Sequence, residues 1–117
     1  MSLVTLNPVS EVIRAVIFRQ DADLAHAKLS DTSYDAQWFG HARLFSLEQV
    51  LAWCSACGWV LQDFRGIRIL ADYIPEQDKG NEAERLRELL RLEHALAGME
   101  PYRRMGRYLQ FSFKKNP

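Results

Sequence analysis

Residues 46–73, SLEQVLAWCSACGWVLQDFRGIRILADY, restrict the fold more than any other stretch of the chain. Ser46 can cap a helix in which Leu47, Val50, Leu51, Cys54 and Cys57 recur at helical spacing, Gly58 can end it, and residues 59–70 then read as one long strand. A helix running straight into a strand points to an α/β chain. The polar and aromatic group Arg68, Asp72 and Tyr73 closes that strand. In an open, partly parallel sheet such a strand exit is where recognition or chemistry is expected.

Ahead of this unit, residues 2–6 form a short β-prone run, and Asn7 followed by Pro8 joins a helix cap to a first-turn proline. Val9, Val12, Ile13, Val16 and Ile17 follow at i, i+3, i+4, i+7 and i+8, which predicts one buried stripe on a helix ending near Arg19. From Gln20 to Gly40 the period fades. DADLAHAKL is compatible with helix, whereas DTSYDAQWFG mixes turn formers with Tyr34, Trp38 and Phe39 and reads as a lid or covering loop, its aromatics pinned to the core.

Beyond the long strand, residues 75–81 make a polar connection to a helix over 82–96, with Leu86, Leu89, Leu90 and Leu96 inward and Glu/Arg pairs three apart on a solvated face. Gly98 ends that helix. Residues 107–114 alternate strictly, with Leu109, Phe111 and Phe113 on one face and Tyr108, Gln110 and Ser112 on the other, which is the pattern of a half-buried strand. The expected order is β, α, α, β, α, β: an α/β fold of three strands with flanking helices, in one domain over residues 1–117.

Several classes of function are disfavoured by the residues. Fifteen Lys plus Arg balance fifteen Asp plus Glu, so the chain as a whole carries no field to attract nucleic acid or an anionic membrane. The only basic cluster is local: Arg103, Arg104, Arg107, Lys114 and Lys115, interleaved with Tyr102 and Tyr108. Residues 53–57 spell WCSAC, but a redox Cys-x-x-Cys sits at a helix N-terminus where the dipole favours the thiolate. Here the pair lies in the last turn, so both are read as packed core thiols, free rather than bridged. His26, His41 and His94 lack metal-ligand spacing, no catalytic residue is marked by any nucleophile motif, and the glycines stand singly, with no phosphate-cradling loop. Gly66, inside a strand, reads as a bulge that would re-aim Arg65 or Arg68. No apolar run is long enough for a membrane span and no signal-peptide pattern opens the chain, so a cytoplasmic protein without membrane contact is expected.

Four stretches carry a family resemblance: RLFSLEQVLAWCSACGW at 43–59, GIRILADYI at 66–74, LRLEHAL at 90–96 and EPYRRMGRYLQF at 100–111. Together they resemble the C-terminal half of class I S-adenosylmethionine-dependent methyltransferases, in particular the type that modifies tRNA 5-carboxymethoxyuridine. The resemblance implies a partial Rossmann-like sheet in which SLVTLN at 2–7 is the fifth strand, residues 59–70 the sixth, and residues 107–114 the antiparallel seventh, inserted between the other two. It also implies that the glycine-rich loop, the acidic ribose-binding residue and the first four strands are absent. S-adenosylmethionine would then serve the intact family enzyme, and no cofactor is expected for this chain alone.

On that basis Asn7, Arg68, Asp72, Tyr73 and Arg107 would line a substrate crevice on one rim of the sheet, with His41 and Arg43 reaching it from the lid. Arg68, between Ile67 and Ile69, is expected on the opposite strand face, where an unpaired charge is hard to explain structurally. The role of these residues would be to position a substrate such as tRNA or a small carboxylate, with no acid or base catalysis. An unpaired first strand implies the alternative of an interaction module, forming a homodimer or pairing with a missing N-terminal half through its open edge.

Overall fold

The computed structural model describes residues 1–30, 33–36, 40–74 and 82–116, without the side chains of residues 33–36 and 40–42. Strand β1 (Ser2–Leu6) turns at Asn7 into α1 (Pro8–Arg19), which is followed by a short α2 (Ala22–Lys28) and a hairpin of β2 (Ser33–Ala36) and β3 (Gly40–Arg43). Then come α3 (Leu47–Ala56), β4 (Trp59–Ile67), a 3-10 turn at Ala71–Tyr73, α4 (Glu82–Ala97), a second 3-10 turn at Tyr102–Arg104, and β5 (Tyr108–Lys115). The main sheet has the order β1-β5-β4, with β5 antiparallel to both neighbours. Its outer strands therefore run in the same direction without touching, and the class is α/β with an open three-stranded sheet.

The alternation along β5 sets the core. Leu109, Phe111 and Phe113 are buried with Phe64 of β4 beneath Leu47 and Val50 of α3, and Leu3, Phe45, Leu51, Cys54, Trp59 and Leu61 pack around them. Phe111 stacks on Phe113 at 5.8 Å between centroids. Burial of such side chains contributes roughly 1.5–3 kcal/mol each, which makes this cluster the main source of stability. Ser46 caps α3 reciprocally with Gln49: the Gln49 amide donates to Ser46 Oγ at 3.1 Å, and the Ser46 amide donates to Gln49 Oε1 at 2.9 Å.

Several expectations need correction. The aperiodic stretch holds the β2–β3 hairpin, so five strands are described rather than three; alternation over four residues is too short to register as a period. Trp38, Phe39 and the side chain of Tyr34 lie outside what is described. The apolar stripe of α1 is only partly buried: Val12 and Ile13 are half-buried, Val9, Val16 and Ile17 are each about half exposed, and Ser10 and Ala15 face inward. Helix α1 packs against α2 rather than broadly over the sheet, so only part of its branched stripe is covered. Likewise Leu86 and Leu90 of α4 are exposed, because that helix meets β4 and the second 3-10 turn, with Leu96 its buried residue. Of the two cysteines, both free, Cys54 packs on the core but Cys57 is exposed at the helix end.

Strand β4 ends at Ile67 rather than residue 70, since Arg68 takes a left-handed φ of 58° and breaks the pleat. Arg68 is therefore not a strand residue on a buried face. The register irregularity of β4 lies between Leu61 and Asp63, so Gly66 is not the bulge. It is a crossing point instead. A Cβ on Gly66 would lie 2.6 Å from the Arg103 carbonyl oxygen, and one on Gly106 would lie 2.6 Å from the Ile67 nitrogen and 2.9 Å from Gly66 Cα. The chain entering β5 thus lies directly against the end of β4, which draws the residues after Gly106 to the rim.

Candidate functional site

The end of β1, the end of β4 and the start of β5 meet on one rim, laced by backbone hydrogen bonds. The Asn7 amide donates to the Arg107 carbonyl at 2.9 Å, and the Arg107 amide donates to the Arg68 carbonyl at 3.2 Å. Asn7 is buried and fully engaged: its Nδ2 donates to the carbonyls of Arg104 (2.7 Å) and Gly106 (2.8 Å), while Oδ1 accepts from the Val9 amide at 3.2 Å as the cap of α1. Its side chain holds the rim together and has no spare donor to offer a substrate.

Asp72 is the electrostatic centre. Its side chain is 8% exposed and faces three guanidinium groups: Arg14 of α1 at 2.9 Å, Arg107 at 3.7 Å, and Arg68, which pairs with Oδ1. One carboxylate thus answers three permanent cations, and the cluster keeps an excess of positive charge. Beside it Tyr73 stacks on Phe18 at 5.6 Å with 20° between planes, and the Arg14 guanidinium lies 4.9 Å from the Phe18 centroid. Burial pushes the Tyr73 phenol above its ordinary value, against the pull of Arg14. The phenol is disfavoured from ionising in the folded chain, so stability should fall as pH rises past about 10, where the unfolded tyrosine ionises first. A spectrophotometric titration should show one of the four tyrosines ionising late; four superimposable tyrosines would refute this.

The segment that carries Asp72 is pinned from outside. Glu93 of α4 accepts from the amides of Ile69 (2.8 Å), Leu70 (2.5 Å) and Ala71 (3.1 Å), so one carboxylate binds the three donors that open the 3-10 turn. Glu93→Gln keeps an acceptor but loses the charge. It should cost about 1–2 kcal/mol in urea denaturation, with faster hydrogen exchange at residues 69–71; unchanged exchange there would refute the role.

Next to Asp72, a cleft of about 270 Å³ opens between α1 and α2, lined by Glu11, Arg14, Ala15, Phe18, Arg19, Leu24, Lys28 and Arg107. Among the described lining residues four are cationic, Lys28 having an interaction of its own, and Glu11 is the carboxylate. The Arg107 Nε is buried without a hydrogen-bond partner among the described residues.

The structure therefore brings Asn7, Arg68, Asp72, Tyr73 and Arg107 to one place. Arg43 is exposed on β3 with no described contact to this cluster, and the side chain of His41 lies outside what is described. Reading the sequence missed Arg14, Phe18 and Glu93. A signal for the first two exists: Glu11, Arg14 and Phe18 recur at i, i+3 and i+7, a second stripe beside the apolar one. The basic cluster near β5 is largely occupied within the chain. Arg103 and Arg104 both bond Glu100, whose carboxyl they hold below its usual range, and the Arg103 guanidinium lies 3.8 Å from the Phe64 centroid. Among the described residues no group of His, Cys, Asp and Glu could hold a metal ion, and no helix is long and apolar enough to cross a membrane.

No family model matches the chain. It is 33% identical over 67 residues to the tRNA 5-carboxymethoxyuridine methyltransferases of Escherichia coli strain K12 and Escherichia coli O157:H7. That stretch is methyltransferase-like. It makes up 57% of this chain and 25% of those relatives, so the match spans about a quarter of their length.

Proposed function

We propose that the chain supplies the substrate-facing part of a methyltransferase. The observation that carries this reading is the sheet order, with β5 reversed between two co-directional strands. It is the arrangement that the resemblance gives to strands five, seven and six of the class I methyltransferase sheet. The 67-residue match supports it independently. On this reading the rim bearing Arg14, Arg68, Asp72, Tyr73 and Arg107 faces the substrate, and His41 and Arg43, assigned to it from the sequence, belong to β3 of the hairpin. Their work is to hold an anionic substrate, tRNA or a small carboxylate, in line for transfer.

S-adenosylmethionine does not suit the cleft at the rim. The cleft at the rim is lined by four cations, and a sulfonium ion would be repelled there. A methyltransferase of this type needs cofactor-holding elements beyond those described. Calorimetric titration of the chain with S-adenosylmethionine should give no binding heat, while a filter-binding assay should retain bulk tRNA at low salt. Tight cofactor binding without tRNA retention would overturn the reading.

A second reading, an interaction module, is favoured by one observation: β1 is an edge strand with Val4 half exposed, and Val9, Val16 and Ile17 of the helix that follows it are half exposed as well. Its partner would be a second copy or an N-terminal half bearing the remaining strands. Sedimentation over a concentration series separates the two readings, since a monomer that persists to low micromolar concentration and does not self-associate above it counts against the homodimer.

A further inference from the structure

We infer that the cleft between α1 and α2 is a binding site for a phosphate ester, gripped by the guanidinium groups of Arg14, Arg19 and Arg107 with Lys28 at its wall. The inference stands on the cleft's own chemistry and does not need the methyltransferase reading.

Arg14, Arg19 and Arg107 line about 270 Å³ with Glu11 as the carboxylate among the described lining residues, and Lys28, which has an interaction of its own, stands at the wall. Asp72, which lies behind, is already shared by three guanidinium groups and cannot neutralise them. Arg14 and Arg107 each face Asp72 through Nη1 alone, which leaves the Nη2 group of each, on side chains that line the cleft, for a ligand. Arg19, at the end of α1, has no described partner. An incoming oxyanion would accept from Arg107 and neutralise the excess charge in one step.

The donor set favours phosphate over carboxylate. A planar carboxylate is satisfied by one guanidinium fork, whereas a tetrahedral phosphate offers oxygens in several directions and suits forks converging from different elements. Here Arg14 and Arg19 come from α1 and Arg107 from the approach to β5. The volume exceeds that of a bare anion, leaving room for the attached sugar. Phe18 and Leu24 give that part of the wall an apolar surface. Glu11 narrows the choice, because it would repel an anion with charge spread along the cleft.

The test uses the ¹⁵N-labelled chain at fixed ionic strength, titrated separately with uridine 5′-monophosphate, the dinucleotide UpU, inorganic phosphate and acetate. Saturable amide shifts confined to α1, α2 and residues near Arg107, with either ester and at least about fivefold tighter than with acetate, are expected. The monoester and diester arms distinguish a free nucleotide from an RNA strand. Arg19→Gln, at an exposed position where folding is not at risk, should weaken ester binding at least threefold, and Arg107→Lys should weaken it while keeping the charge. Shifts equal for acetate and esters, shifts scattered over the surface, or affinity unchanged in both variants would each overturn the site. tRNA retention can fail while mononucleotide binding persists, so this result is separable from the fate of the proposed function.

Discussion

Asp72→Ala should destabilise the chain by about 3 kcal/mol, read as a fall in the urea midpoint at unchanged slope. The substitution removes the one carboxylate that Arg14, Arg68 and Arg107 share, and it leaves three guanidinium groups facing each other around an 8% exposed position. Removing one partner from a buried pair typically costs about 3–5 kcal/mol. The figure expected here sits at the low end because Arg68 is 48% exposed and can swing into water. By the same reasoning Arg68→Ala should cost little, since two cations remain on Asp72 and the lost one is half solvated. A loss below about 1 kcal/mol for Asp72→Ala would mean that the cluster is a loose surface network and that the rim is not electrostatically organised.

Gly66→Ala should cost about 3 kcal/mol, or prevent folding altogether, although it adds a single methyl group. The new Cβ would sit 2.6 Å from the Arg103 carbonyl oxygen and 3.1 Å from the Arg103 carbonyl carbon, and both are backbone atoms that no rotamer change can move. Overpacking of this kind typically costs about 1–3 kcal/mol and occasionally more. Relief would require lifting the second 3-10 turn off β4. That would also loosen the two Asn7 bonds to the carbonyls of Arg104 and Gly106. Thermal melting with a circular dichroism readout decides the point, and a variant that melts like the wild type would show that the crossing is not close-packed. Gly98→Ala serves as a control, because the nearest atom to its Cβ is the end of the Arg65 side chain at 4.0 Å.

The elements that could be read from the residues are those whose signals are local. The Ser46 cap, the alternation of Leu109, Phe111 and Phe113, and the Asn7–Pro8 turn each depend on neighbours within a few positions, and the structure follows them. What could not be read depends on what packs where. The branched stripe of α1 has the same periodicity whether or not anything covers it, so Val9, Val16 and Ile17 carried no sign of their exposure. Ile67, Ile69 and Leu70 are all β-prone or apolar and so carry no sign that β4 stops three residues before Leu70; the left-handed turn at Arg68 is followed by amides held by Glu93, 25 positions from Arg68. At the rim, five of the residues singled out do lie together. The two from α1 that join them, Arg14 and Phe18, share a stripe with Glu11 at i, i+3 and i+7, but that spacing does not say which element the stripe meets until the helix is docked.

The Glu93 contact also bears on the order in which the molecule assembles. The amides of Ile69, Leu70 and Ala71 wait for a carboxylate 24, 23 and 22 residues further along the chain. A loop of that length must close before the 3-10 turn is held, and until then Asp72 has no fixed place from which to gather its arginines. Pairing of β4 with β5 closes longer loops still, since Ile67 meets Tyr108 and Trp59 meets Lys115, so the Glu93 contact does not have to wait for the aromatic core. The placement of Asp72 thus rests on a helix remote in sequence, and a lesion in α4 will be felt at the charged rim before it is felt in the aromatic core.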